Sequence, residues 1–126
     1  MAVYAKQVLD VTLPAAADYT GSQYYFVKTD SAGRAAVCSG TADEPTGILQ
    51  NKPNAIDRPA QVRVIGVSKL VAGAAIAIAV SVSTDATGKG VTSVTGQYKS
   101  GKAAAASAAA NGVIETYVQC VNAPLV

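Results

Sequence analysis

The chain has 126 residues, half of them apolar but weighted toward Ala and Val, with one Phe, six Tyr, no Trp, no His and a net charge of +2. That length fits one domain with a core of its own, and a core of small and β-branched side chains suits thin, closely packed sheets. Without His there is no ordinary general base near neutral pH, two Cys fall short of a zinc ligand set, and charges making up 14% of the residues define no nucleic-acid-binding stripe.

Residues 7–13 read as a first strand, closed by Pro14 and followed by a polar turn at Asp18, Gly21 and Ser22. The segment 23–39 reads as a hairpin, with Tyr24 and Phe26 on one face and Tyr25 and Val27 on the other. Its turn is Thr29-Asp30-Ser31-Ala32-Gly33. A short strand over Gly47 to Gln50 follows, then a loop from Asn54 to Pro59 and a strand over Gln61 to Val67 running on to Val71. There Val62 and Val64 share one face, Arg63 and Ile65 the other, and Gly66 marks a bulge or a close approach of backbone. Ile76, Ile78, Val80 and Val82 hold period two and predict another strand. Turn formers from Thr84 to Gly90 would let Val91 to Val94 pair back. The last strand, 113–121, points Ile114, Thr116, Val118 and Cys120 inward and Glu115, Tyr117 and Gln119 outward. The fold predicted is all-β, a compact antiparallel β-sandwich or barrel-like domain. One segment is ambiguous: 102–110, KAAAASAAA before Asn111-Gly112, is either a short Ala-rich helix or an extended strand and loop.

Motifs for chemistry are missing. No Gly-x-Ser-x-Gly or Cys/His pair occurs, the doublet Asp43-Glu44 reads as a solvated loop, and Gly88-Lys89-Gly90 lacks the spacing of a phosphate loop. The reading is therefore of a non-enzyme with no cofactor and no metal. Lys99 and Lys102, the nearest thing to a basic cluster, read as a solvated loop, so no nucleic acid is expected. The longest apolar run, 71–82, is short of the ~20 residues that span a bilayer, so no membrane partner is expected either. The N-terminus lacks the apolar stretch of a secretory signal, which points to synthesis in a cytosol-like compartment. In that setting Cys38 and Cys120 are expected to be buried free thiols.

The order of these motifs resembles the capsid decoration, or capsid cement, proteins of tailed bacteriophages. The resemblance rests on Gly47-Ile48-Leu49-Gln50, Pro53, Val62-Arg63-Val64, Gly66-Val67 and Ala72-Gly73. A Tyr/Phe-Val strand with a Gly turn precedes them, and Thr87-Gly88, Gly101-Lys102-Ala103-Ala104 and the 112–121 strand follow. It implies a single domain, with an N-terminal arm and first strand over 1–22 and a β-rich decoration domain over 23–126. It also implies a structural virion protein, made in the host cytoplasm, that sits as a homotrimer on the outer capsid surface, binds the major capsid protein and stabilises the shell. Candidate capsid or subunit contacts are Tyr4 and Lys6 in the arm, Tyr24 and Tyr25, Tyr19 and Tyr117 among the other tyrosines, and Arg58 and Arg63 as bridges to acidic capsid loops. For Tyr24 and Tyr25 the alternative is core filling beside Phe26, and for the two Arg it is solubility. A host-surface or carbohydrate-binding β module displayed on the virion is the alternative function, although no Trp is available for a sugar platform.

Overall fold

A computed structural model describes residues 8–121 and 123–126. Among these are nine strands and no helix: β1 (Leu9–Pro14), β2 (Phe26–Thr29), β3 (Ala35–Val37), β4 (Gly47–Leu49), β5 (Pro59–Val71), β6 (Ser81–Thr84), β7 (Gly90–Thr92), β8 (Gly101–Ala103) and β9 (Val113–Gln119). All strand pairs are antiparallel, and they form one curled half-barrel in the order β3-β2-β4-β5-β9-β8-β6-β7, with β1 pairing β5 beside that path.

β5 organises the sheet. Ala60, Val62, Val64, Ser68 and Leu70 are buried while Gln61, Ile65, Val67 and Lys69 are exposed, so period two holds along all 13 residues. Gly66 does not interrupt it. Its φ of 131° is open to glycine, and the one register shift nearby lies between Leu9 and Asp10 in the β1 ladder. The inward and outward faces predicted for β9 are those observed.

The architecture contains a repeat. The turn Thr29-Asp30-Ser31-Ala32-Gly33-Arg34 recurs as Thr84-Asp85-Ala86-Thr87-Gly88-Lys89. In the first, Asp30 Oδ1 accepts from the N–H groups of Ala32 and Arg34, both at 2.9 Å. In the second, Asp85 Oδ1 accepts from those of Thr87 at 2.8 Å and Lys89 at 2.9 Å. Left-handed backbone recurs too: Tyr24 (φ 67°) with Ala79 (69°), Gly33 (77°) with Gly88 (86°), and Asp57 (66°) with Asn111 (69°). Strands β2-β3-β4 thus correspond to β6-β7-β8. The first half of β5 pairs β4 and β1 as β9 pairs β8 and the second half of β5. One long strand therefore ends the first unit and begins the second.

Two core clusters follow from this. Val27, Leu49, Ala60 and Val62 fill the first unit. Their counterparts Val82, Ala103 and Ile114 pack with Phe26, Ile48 and Val64 of the first unit in the larger cluster. The inner face of the second unit thus covers part of the outer face of the first. Cys38 and Cys120 lie buried and unpaired in that larger cluster.

Two segments depart from expectation. The strand predicted over 76–82 begins only at Ser81, because the left-handed Ala79 breaks the alternation and leaves Ile76 buried but Ile78 61% exposed. The Ala-rich segment 102–110 forms no helix. Gly101–Ala103 is strand β8, and Ser107 makes a two-bond bridge to Ile76 (N–O 2.9 Å each way). A helix there would have had no apolar stripe to bury, whereas the extended path satisfies backbone groups against β9 and the 76 loop.

Candidate functional site

Outward-pointing residues of adjacent strands line up in rows, because residues paired across a ladder share a face. In the first unit the outer row is Phe26, Ile48, Arg63 and Asp10. Phe26 and Ile48 are fully buried there under the second unit, and Arg63 forms a two-bond ion pair with Asp10 (Nε–Oδ1 2.9 Å, Nη2–Oδ2 3.1 Å). The hydrogen bonds that Arg63 donates to Asp10 push the guanidinium pKa further up, against the pull of burial. The equivalent row of the second unit is Ser81, Lys102, Tyr117 and Val67. Ser and Lys replace the two large apolar residues, so this part of the row has no apolar side chains to bury. Yet Tyr117 and Val67 remain uncovered, 56% and 48% exposed, with Ile65 beside them.

This apolar strip is flanked by two open recesses. One, of about 440 Å³, lies between Lys99, Lys102, Tyr117, Gln119 and Pro124 and holds two exposed ammonium groups without a carboxylate in its lining. The other, of about 220 Å³, is lined by Tyr24, Gln50, Arg63, Val67, Lys69 and Glu115 among others. Lys69 Nζ sits 5.7 Å from the Tyr24 ring centroid, and Arg63 Nη1 donates to the carbonyl of Val67 at 2.8 Å. The face is thus an aromatic and aliphatic centre within a charged rim, the composition that suits burial against another protein.

Of the residues predicted as contacts, Tyr24 and Arg63 meet in the smaller recess. Tyr25 lies elsewhere, half-buried under the β6–β7 turn with Lys89 Nζ 5.9 Å from its ring. Arg58 is exposed in the loop before β5 and lines neither recess. Tyr4 and Lys6 lie outside the described residues. Sequence reasoning passed over Val67 and set Lys99 and Lys102 aside as loop residues, for only the β5-β9-β8 register brings them around Tyr117.

The profile of the phage cement protein family matches residues 3–118. The chain belongs to this family. This phage cement protein is a structural, capsid-associated virion protein. No curated protein matches it. Among solved structures it is similar to the head fiber gp8.5 N base of bacteriophage phi29, at 13% identity and a TM-score of 0.66 over 90% of this chain and 95% of that one. At that identity the likeness is one of fold, and it agrees with the all-β architecture described above.

Proposed function

We propose that this chain binds the major capsid protein on the outer surface of a phage head as a homotrimer. Made in the host cytoplasm, it stabilises the shell by shape and contact, with no covalent chemistry. The outer face of β5, β9 and β8 is the capsid contact. One observation carries this reading: Tyr117 and Val67 stay uncovered, within a rim of Lys, Gln and Glu, where the equivalent positions of the first unit hold the half-buried Arg63–Asp10 ion pair. An exposed aromatic with an aliphatic neighbour is the kind of anchor from which interfaces draw most of their energy.

The test is binding of purified protein to cognate phage heads that lack it, read by electron microscopy and by the heat resistance of the heads. The double variant Tyr117→Ala, Lys102→Glu should bind at least about tenfold more weakly, while Arg58→Ala, away from both recesses, should bind nearly as the parent does. A chain lacking residues 2–7 should also bind less well with its fold intact. Full occupancy by the double variant would remove this face from the capsid contact, and full occupancy by the truncated chain would remove the arm.

A further inference from the structure

The two units carry equivalent loop pairs, and these differ sharply in chemistry. In the first, Tyr19 N–H donates to the Pro53 carbonyl at 2.7 Å; in the second, Ile76 N–H donates to that of Ser107 at 2.9 Å. The first pair carries Asp18, Lys52, Asp57 and Arg58. The second pair carries no charge at all: none lies between Lys69 and Asp85, or between Lys102 and Glu115. Nearly all its exposed side chains are Ala, from segments 74–79 and 106–110, and Ile78 stands among them at 61% exposure. Charge reappears at the edge, where Lys89 Nζ meets Asn111 Oδ1 at 2.7 Å. The left-handed Ala79 is shared with Tyr24 of the first unit, so it belongs to the fold and does not distinguish this lobe.

We infer that this neutral lobe is where copies of the chain meet one another, an inference that rests on the trimer reading above. Charge decides between partners. A surface facing a different protein gains rate and specificity from charges that the partner can complement, and the β5-β9-β8 face carries Lys69, Lys99, Lys102 and Glu115. Close to a three-fold axis the same residues of all copies converge, so like charges would gather there and a patch without charge avoids that repulsion. Alanine adds two advantages: its side chain loses no rotamer freedom on burial, and its size lets backbones approach closely while Ile78 supplies apolar area.

The experiment is sedimentation equilibrium of the full chain, free of capsid, with circular dichroism and thermal melts to confirm folding. The parent should have the mass of three chains. Ile78→Lys and, separately, Ala108→Glu should shift it to the mass of one chain at the same concentration with the β spectrum kept, because both positions are exposed. Asn54→Lys, in the charged loop pair of the first unit, should leave the trimer intact. If the parent is itself a monomer, the trimer reading falls and this inference with it. If the parent is a trimer and both lobe variants remain trimers, only this inference falls; should they also fail to bind heads, the lobe is a capsid contact instead.

Discussion

At the scale of single residues, the second unit's core holds one polar atom that the fold does not satisfy. Thr116 is fully buried and its Oγ1 has no hydrogen-bond partner, while the equivalent position in the first unit is Val62, equally buried in a wholly apolar cluster. Valine replaces the hydroxyl by a methyl group of similar size, so Thr116→Val should raise stability by about 1 kcal/mol in urea unfolding. A loss of stability would show that the hydroxyl has a partner after all. The buried thiols make the stability of the fold depend on alkaline pH. Desolvation pushes both Cys38 and Cys120 up to about 12 from 9.0. The folded chain therefore holds these protons where the unfolded chain releases them, so their contribution is complete below about pH 9 and is lost as pH rises toward 12. Melts from pH 8 to 11 should show a shallower decline for the Cys38→Ala, Cys120→Ala double variant than for the parent, whatever the offset at pH 8. Parallel curves would clear the thiols. Their protonation also leaves them poor nucleophiles at neutral pH.

At the scale of elements, the strands that begin with glycine are held by close approach. A Cβ on Gly101 would lie 2.7 Å from the Tyr117 carbonyl oxygen and 2.9 Å from Thr116 Cγ2, and one on the equivalent Gly47 would meet the Arg63 carbonyl. In both units the strand after the hairpin is thus pressed against its neighbour, β5 in the first and β9 in the second, with backbone rather than a flexible side chain in the way. Gly101→Ala should cost about 1–3 kcal/mol. Gly21→Ala, where nothing lies within 4 Å, should change stability by less than about 0.5 kcal/mol. Equal melting temperatures for the two variants would mean that β8 has room to shift. Because Tyr117 and Lys102 are neighbours across this same ladder, slack here would also blur the geometry of the outer face.

At the scale of the molecule, the sheet's two units are not separable, since β5 serves both and Phe26 and Ile48 of the first lie in the core of the second. Much of this was legible in the chain. Alternation placed the faces of β5 and β9, and Asp-x-x-Gly turns placed both hairpins. The lack of His and of nucleophile motifs turned attention to surfaces, and the ordered Gly-Ile-Leu-Gln to Ala-Gly run pointed to the cement proteins. Where the reading failed, a local pattern lost to backbone geometry. Ile76 to Val82 has the period of a strand, but Ala79 turns left-handed and sends Ile78 outward, and the alanines of 102–110 have high helix propensity but no stripe to bury. Local pattern by itself determined that this is a β protein of small side chains, because side-chain alternation and turn chemistry act over a few residues. Only the tertiary structure decided that Val67, Tyr117 and Lys102 form one face while Phe26 and Ile48 disappear beneath the second unit. Register between distant strands and the stacking of one unit on the other are long-range properties that no stretch of sequence carries alone.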